Sequence, residues 1–451
     1  MTRPLNILPS TLSLLALVLS ACQVGPAPLL DEDGAVERGP VRISDNLTLE
    51  QVTAVAAELE QDLAEVQALE ARLSHDPEAL VEAVQAIEEA RLVRLEGLLD
   101  DSLVDRPTEG DLAELRARFD LAPVEGGPRI DDGMQVPDLD ELDLPGEAPP
   151  WSTLGLSTWG SSTVTWCFEA DEDGTSDMDN AEVLFAASFA AAQWGGSSGL
   201  YLERKSSCSS ANIRIGFHTG YHWDWDWAGD SSSFDGRGGT LAHAFAPTYG
   251  YLHFDDAETW TRSTRTSTAQ PLDLDAVMTH ELGHALGLGH SSVSAATMWP
   301  TYMASAGRSL ESDDVAGISA LYGARTSNCT NTYLQAFYAK SQAYTLYSHV
   351  YADYVAGDAT YADYDDAYYA YLYASYAQSY ALLAVRGDLS YGEYAGWALS
   401  LAAPYLEDVG VSSFNYAASD NWGDDNVNRA LKAHYYAQAS VITGNACTDG
   451  R

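Results

Sequence analysis

Three histidines and one glutamate lie within twelve residues of the chain that read THELGHALGLGH. In an α-helix residues i and i+4 share a face, so His280 and His284 would direct their imidazoles at one point, with Glu281 beside them. Gly287 permits the backbone to leave the helix in a left-handed conformation and to bring His290 to the same point. One histidine pair at this spacing is common in buried helices, but the complete pattern H-E-x-x-H-x-x-G-x-x-H predicts a metal site.

The chemistry that such a site supports is hydrolysis. Three nitrogen ligands leave the fourth tetrahedral position of zinc open for water, which distinguishes a catalytic zinc from a structural one. A carboxylate beside the metal can take a proton from that water and pass it to a leaving amine. We therefore predict that His280, His284 and His290 hold a catalytic zinc and that Glu281 is the general base and then the general acid.

Other elements must position this helix, and residues 151–325 have the texture of a mixed domain. Short β-like runs read STVTWCFEA, ANIRIGF and GTLAHAFA, with helical stretches between them. One helix is predicted over Met178–Trp194, and another carries the histidine motif. The leucines of that motif would form the face that seats its helix in the core.

The segment DAVMTHELGHALGLGHSSVSAATMWPTY resembles the matrixin (matrix metalloproteinase) branch of the metzincins. The resemblance implies that Met298 forms the Met-turn, a methionine underlying the metal. It also implies that Pro300, Thr301 and Tyr302 form the outer wall of the S1′ pocket. The run SLESDDVAGISALYG, Ser309–Gly323, resembles the closing helix of the family.

The fold implied by this resemblance is α+β, with a twisted, mostly parallel five-stranded sheet and three helices. Asp313 and Asp314 would tie the closing helix to the Met-turn or to the mature N-terminus. An extended substrate would pair as an added strand with Leu241 and Ala242. Ala276 would line the bottom of S1′, where its methyl group predicts a roomy pocket that accepts large apolar side chains.

Two further metal sites are implied by the resemblance. A structural zinc would be held by His222, Asp224, His243 and His253, with His218 a less favoured candidate. A calcium site made of carboxylates and backbone carbonyls would use Asp235, Gly236, Gly238, Thr240, Asp255 and Glu258.

The N-terminus predicts export. Arg3 precedes an apolar run, Leu12–Leu19, that is typical of a secretory signal and too short for a membrane span. The following LSAC resembles a bacterial lipobox, so Cys22 is predicted to be the first mature residue and to carry acyl chains that anchor the protein in a membrane. Gln23 favours the outer membrane, and the predicted location is an outer-membrane lipoprotein or the cell surface or exterior of a bacterium.

The charge of the chain limits its partners. The formal net charge is −43, from 66 acidic and 23 basic residues, so a phosphate backbone would be repelled and nucleic acid is excluded as a partner. The acidity fits a calcium-rich or salty extracellular setting, although a solvated acidic surface accounts for most of it. Protein or peptide substrates remain the expected partners.

Residues 22–150 are predicted to be a helical pro-segment followed by an acidic linker. Apolar residues at three- and four-residue steps mark helices over Val52–Leu73 and Leu80–Leu98, and a third is predicted over Asp111–Leu121. Asp76 is the predicted N-cap of the second helix, with Pro77 at its first position. The alternative is a helical spacer between the membrane and the next domain.

Control of the site is expected to differ from that of the family. In matrixins a pro-segment cysteine occupies the open zinc position, but Met134 stands where that cysteine would lie. A thioether is a poor zinc ligand compared with thiolate or imidazole. We therefore hypothesise that Asp131, Asp132 or Asp138 caps the zinc, or that latency is steric only.

The C-terminal region, residues 326–451, contains 20 of the 26 tyrosines, interleaved with alanine. This spacing predicts a helical domain with a tyrosine-lined core, and an aromatic surface for a polymer or partner is the alternative. In an exported protein the four remaining cysteines predict disulfides, and the simplest pairing within domains is Cys167–Cys208 and Cys329–Cys447.

The predicted domains are residues 1–21, 22–150, 151–325 and 326–451. Two functions are considered for the whole chain. The first is a secreted or surface-anchored zinc endopeptidase. The second is an adhesion or binding lipoprotein in which the C-terminal domain is the functional part and the protease domain is auxiliary or idle. The intact Glu281 argues against the second, because an idle site needs no base.

Overall fold

A computed structural model gives the fold. The structure describes residues 49–73, 76–96, 151–153, 158–169, 178–220, 222, 233–264, 269–325, 329–387, 389–416 and 425–448. The predicted signal segment, Cys22, the helix predicted over Asp111–Leu121, the acidic linker and Met134 lie outside these residues. Contacts divide the chain into two compact units, residues 1–131 with Tyr344–Tyr364, and residues 132–343 with residues 365–451. The domain boundaries derived from the sequence stay predictions.

Two helices open the described chain, α1 (Leu49–Leu73) and α2 (Pro77–Glu96), and both were expected. Asp76 caps α2 as predicted, since its Oδ1 accepts the backbone N–H of Ala79 at 3.2 Å. The apolar stripes face each other, and a buried ion pair lies between them. Arg91 donates to Asp62 at 2.6 Å, and Asp62 has only 1 % of its side chain exposed. The spacing of apolar residues, which predicted the two helices, did not predict this ion pair.

The central sheet has five strands: β1 (Thr163–Phe168), β2 (Tyr201–Arg204), β3 (Ile213–His218), β4 (Ala242–Ala244) and β5 (Tyr251–Asp255). Their order is β2-β1-β3-β5-β4, and every pair is parallel except β4 with β5. Two short strands, β6 (Trp260–Thr261) and β7 (Leu272–Asp273), form a separate parallel pair. The predicted mostly parallel five-stranded sheet is confirmed, and β4 is an edge strand.

Three α-helices accompany this sheet, as the resemblance implied: α3 (Asn180–Ser197), α4 (Leu274–Ala285) and α5 (Ser312–Tyr322). The helix α3 is buried along almost its whole length, Ala181 to Gly196, which is unusual for a helix with one face on a sheet. Helices from the C-terminal region cover its other faces, since Ser188 contacts His434 and Gly410 lies against Phe185.

The described part of the C-terminal region contains four long helices, α6 (Cys329–Ala356), α7 (Tyr361–Val385), α8 (Tyr391–Tyr416) and α9 (Asp425–Thr448). The helical prediction is confirmed, and many tyrosines are core residues; Tyr333, Tyr347 and Tyr364 have at most 2 % of their surface exposed. Both predicted disulfides form, Cys167–Cys208 and Cys329–Cys447. Among the described helices, none combines the length and the apolar content needed to cross a bilayer.

Candidate metal centre and active site

The helix α4 carries the histidine motif, and its two ends are fixed by local sequence. At its start the Asp273 side chain caps the helix by accepting the Ala276 N–H at 3.3 Å. At its end the N–H groups of Gly287 and Leu288 donate to the carbonyls of His284 and Gly283, at 2.9 and 3.0 Å. This pair of hydrogen bonds is the Schellman motif, and Gly287 adopts the positive φ of 106° that the motif requires. The chain therefore turns back as predicted.

The turn brings three imidazole nitrogens together. His284 Nε2 lies 3.1 Å from His280 Nε2 and 3.3 Å from His290 Nε2. Two nitrogens that each lie about 2.0 Å from a tetrahedral zinc are separated by roughly 3.3 Å. The three side chains that the motif predicted as ligands thus have the spacing that one zinc ion needs.

In His280 and His284 the hydrogen bond made by Nδ1 determines that Nε2 is the nitrogen available to a metal. His280 Nδ1 lies 2.7 Å from the Thr297 carbonyl oxygen, and His284 Nδ1 lies 2.7 Å from that of Leu288. A carbonyl only accepts, so each Nδ1 carries the proton and each Nε2 presents its lone pair to the common point. Burial lowers the pKa of His280 to about 4 and of His284 to about 3, so both are neutral at pH 7.

Glu281 follows His280 and is buried, with 6 % of its surface exposed. Its Oε2 is buried, and no hydrogen-bond partner for it lies among the described residues. Burial raises the pKa of Glu281 to about 8. A cation on the neighbouring imidazoles would favour the carboxylate form. A buried carboxylate oxygen without a donor fits a group that exchanges protons with a bound molecule.

Met298 lies beneath α4, where the resemblance placed the Met-turn, and only 2 % of its surface is exposed. The closing helix holds this turn, because Asp314 accepts the backbone N–H groups of Thr297 and Met298 at 2.7 and 3.0 Å. The tie predicted for Asp314 is confirmed. Gly283 lets the sulfur approach, since a Cβ there would lie 2.4 Å from Met298 Sδ. Position 283 is one of the unspecified positions of the histidine motif, so the sequence pattern did not predict that glycine is required there.

Residues 151–153, at the start of the segment 151–325, also support the histidine site. Thr153 forms a β-bridge with Leu288, and the Ser152 hydroxyl donates to the His290 carbonyl at 2.8 Å. Asp313 accepts the Ser291 hydroxyl, and a backbone hydrogen bond from Trp151 opposes the rise that burial causes in its pKa. These contacts connect the turn of the third histidine to both the start and the end of the segment.

A second group of histidines lies beside the β4–β5 edge. His222 Nε2, His243 Nε2 and His253 Nδ1 are 3.1 to 3.4 Å apart, again the spacing of nitrogens around one tetrahedral metal. The His218 ring stacks on His222, with centroids 4.6 Å apart, but His218 does not belong to the converging set. Asp224, the fourth predicted ligand, lies outside the described residues.

The residues predicted to hold calcium are partly brought together. Asp255 and Glu258 are buried, with 0 and 1 % of their surface exposed. Glu258 accepts the Gly238 N–H at 2.6 Å and Asp235 accepts the Thr240 N–H at 3.0 Å. The loop also needs glycine, because Gly236 and Gly238 have φ of 84° and 77°.

One atom of this group points to a cation. Asp255 Oδ2 is buried and has no partner in the part of the chain that the structure describes. An unpaired buried carboxylate oxygen is costly, so a bound cation would fit there. Gln270, which the sequence reading missed, donates its amide to Glu258 and so belongs to this group.

The predicted substrate-binding residues lie on both sides of the histidine motif in the sequence. Ala242 is on the edge strand β4, and Leu241 precedes it. Pro300 and Thr301 are exposed and Tyr302 is half-buried; the Tyr302 hydroxyl accepts the Asp273 N–H at 2.7 Å. Ala276 is buried in the first turns of α4.

Known proteins resemble this part of the chain. The family model described as Matrixin matches residues 158–323. The chain is 41 % identical over 184 residues to the hatching enzyme of Paracentrotus lividus, covering 41 % of this chain and 29 % of that protein. It is 38 % identical over 173 residues to metalloendoproteinase 1-MMP of Arabidopsis thaliana, covering 38 % of this chain and 45 % of that protein.

A third relative is covered more fully. The chain is 37 % identical over 232 residues to human matrilysin. The aligned region covers 49 % of this chain and 78 % of matrilysin. The chain thus spans less than half of the first two relatives but most of the third. The match to the Matrixin family model, residues 158–323, includes the three histidines, Met298 and the closing helix. The chain belongs to the matrixin family.

Proposed function

We propose that the chain is a zinc-dependent endopeptidase that hydrolyses peptide bonds of extracellular proteins. The observation that carries this proposal is the convergence of three Nε2 atoms, with His284 Nε2 lying 3.1 Å from that of His280 and 3.3 Å from that of His290. His280 and His284 lie on α4 together with Glu281, and His290 follows the turn at the end of that helix. The name of one relative, metalloendoproteinase 1-MMP of Arabidopsis thaliana, supports the same activity.

The zinc ligands, Glu281 and the edge strand β4 have separate roles in the proposed reaction. Zinc, when held by His280, His284 and His290, supplies Lewis-acid chemistry that activates water and polarises a carbonyl oxygen. The Glu281 carboxylate takes a proton from the attacking water as the new C–O bond forms. It then delivers that proton to the amine nitrogen as the C–N bond breaks. The edge strand β4 would hold the substrate backbone as an added strand.

The activity is tested with a generic peptide substrate and the Glu281→Ala variant, after removal of the pro-segment. Cleavage by the wild type and its loss in the variant are expected, with bound zinc retained because the three imidazoles are intact. Glu203→Gln is the matched control, since Glu203 lies on the opposite edge strand β2 and forms an ion pair with Lys205 at 2.8 Å. Full cleavage by Glu281→Ala would reject the assigned base.

We also propose the structural zinc on His222, Asp224, His243 and His253, and the calcium on the group around Asp255 and Glu258. Metal analysis of the purified chain should find two zinc ions, and His253→Ala should lose one of them while keeping the other. Calcium should protect the chain from thermal unfolding. A wild type with a single zinc would remove the second site from the proposal.

Export and lipid anchoring at Cys22 complete the proposal, with the pro-segment keeping the site silent. N-terminal sequencing and mass measurement of the mature protein should find an acylated Cys22 as the first residue. If a carboxylate caps the zinc, changing Asp131, Asp132 and Asp138 together should activate the precursor. A precursor that stays silent leaves only the steric form of latency.

The proposed specificity concerns the side chain after the cleaved bond. A methyl group at Ala276 leaves space at the bottom of S1′, so large apolar residues are expected at P1′ of the cleaved bonds. Sequencing of the products from a peptide library measures this preference. Products with only small P1′ residues would contradict it.

A further inference from the structure

One arginine joins the active-site helix to the C-terminal region. Arg262 follows β6, and its Nε and Nη2 donate to the two carboxylate oxygens of Asp275 at 2.8 and 3.2 Å. Its Nη1 and Nη2 donate to the two oxygens of Glu407 at 2.8 and 3.3 Å. Asp275 lies in the first turn of α4 and Glu407 in α8, so the guanidinium makes two fork-like pairs at once.

A second arginine shares the same carboxylates. Arg308 donates from Nε to Asp273 at 2.7 Å and lies within 2.9 Å of Asp275. Its Nη2 also donates to the Arg262 carbonyl oxygen at 2.6 Å. Asp273 and Asp275 have at most 1 % of their side chains exposed, so neither carboxylate has water to replace a lost arginine contact.

Glu407 also contacts a buried histidine of the last helix. His434 Nε2, on α9, lies 3.1 Å from Glu407 Oε1, and His434 Nδ1 lies 3.0 Å from the Ser188 hydroxyl on α3. His434 is completely buried. A continuous set of polar contacts therefore runs from α3 through α9 and α8 to Arg262 and the start of α4.

We propose that Glu407 is a positioning residue for the active site, through which the C-terminal helices set the orientation of the first turn of α4. This inference rests on the proposed endopeptidase function. His280 follows Asp275 by five residues on one helix, so a tilt of the first turn displaces the ligands and Glu281 together. Misplacement of reacting groups by about 1 Å can cost roughly a hundredfold in rate.

The same contacts connect Glu407 to the substrate side. Asp273, which Arg308 holds, donates its backbone N–H to the Tyr302 hydroxyl at 2.7 Å in the expected outer wall of S1′. Ala276, the expected bottom of S1′, belongs to the same turn. Loss of the Glu407 carboxylate should therefore change the relative rates for different P1′ residues, which a general loss of stability would not do.

Hydrogen exchange of the full chain tests the positioning directly. In Glu407→Gln we expect the amides of Met278–His280 to exchange roughly tenfold faster or more, because local opening of this turn becomes easier. Asp408→Asn is the matched control, since Asp408 is the exposed neighbour of Glu407 on α8, whereas the ion pairs of Arg262 are with Asp275 and Glu407. Equal protection of α4 in both variants would overturn the proposal.

Kinetics provide the second readout, with zinc and calcium added and in the form in which the wild type cleaves peptide. Glu407→Gln should lose roughly tenfold or more in kcat and shift the ratio of rates between leucine and alanine at P1′. Glu407→Asp, which keeps the charge, should recover part of both effects and replaces Glu407→Gln if that variant does not fold. A folded Glu407→Gln with wild-type rates and selectivity would reject the inference.

The outcomes separate the inference from the function on which it rests. A wild type that cleaves no peptide rejects the proposed function, whatever the exchange data show. A wild type that cleaves peptide, with α4 exchange and P1′ selectivity unchanged in Glu407→Gln, rejects the positioning role alone.

Discussion

The three candidate zinc ligands differ in how the chain fixes them. His280 and His284 are fixed twice, by the helix and by carbonyl oxygens that accept from Nδ1. His290 is exposed and depends on the turn at Gly287 and on the hydrogen bond from Ser152 to its carbonyl. At the residue scale the site therefore depends on glycines as much as on ligands.

Gly283→Ala tests the packing beneath the metal site. Its Cβ would lie 2.4 Å from Met298 Sδ and 2.6 Å from the Trp194 ring, so the Met-turn or the indole must move. We expect a loss of about 1–3 kcal/mol in the free energy of unfolding, measured by urea titration.

Gly307→Ala is the control for that substitution. An added Cβ there would meet only Ala276, at an ordinary 3.5 Å. Its stability should change by less than about 0.5 kcal/mol. Equal effects of the two substitutions would contradict the close contact at Gly283.

At the scale of elements, helix packing in the C-terminal region depends on glycines in α8 and α9. A Cβ on Gly444 would lie 2.6 Å from the Gly392 carbonyl oxygen, so the two helices approach with backbone against backbone. At Gly396 the nearest atom is Val441 Cα at 3.3 Å, which a small shift can relieve. Both positions lie inside helices, where alanine is intrinsically favoured over glycine by about 1 kcal/mol.

Gly444→Ala should therefore lower the midpoint of urea unfolding, with a cost of about 1–3 kcal/mol from overpacking. Gly396→Ala should be close to neutral, because its gain in helix propensity offsets the small contact. The reverse order of stability would show that the two helices can separate to accommodate a side chain at Gly444.

The ion pairs at Glu407 predict a dependence of stability on pH. Burial opposes the charge of Glu407, but His434 and Arg262 together lower its pKa from 4.5 to about 2. A lowered carboxyl pKa contributes stability that is present above pH 4.5 and is lost as the pH falls through about 2. The displacement corresponds to roughly 3 kcal/mol at neutral pH.

Comparison with Glu407→Gln isolates this contribution. The difference in the free energy of unfolding between wild type and variant should be largest at pH 6 to 7 and roughly half as large at pH 3. Urea unfolding at each pH measures it. A difference that stays constant from pH 7 to pH 3 would mean that Glu407 does not titrate differently in the two states.

At the scale of the whole molecule, the Cys329–Cys447 disulfide joins the start of α6 to the end of α9 across 118 residues. Replacing both cysteines by serine should cost about 2–5 kcal/mol, because the bridge restricts a long stretch of the unfolded chain. Unfolding without reductant measures the change.

The Cys167–Cys208 disulfide spans only 41 residues and provides the comparison. In the loop-entropy description its contribution is about 1 kcal/mol smaller. A larger cost for removing Cys167–Cys208 would show that native contacts, rather than loop length, determine the contributions.

Local sequence determined the parts of this protein that depend on local geometry. Helical spacing put His280 and His284 on one face, Gly287 ended the helix, and Asp76-Pro77 began α2, because each effect operates within one or two turns. The family resemblance added the mostly parallel five-stranded sheet, the Met-turn and the closing helix. Hydrophobic period and alanine–tyrosine spacing were sufficient for the C-terminal helices.

Tertiary structure decided the contacts between residues distant in the sequence. Arg262 meets Glu407 across 145 residues and Ser188 meets His434 across 246, and no local pattern encodes such a meeting. The same holds for Asp62 with Arg91 and for Gly283 with the Met298 sulfur. Charges and glycines are compatible with many surroundings, so their partners are determined only when helices and strands pack into one core.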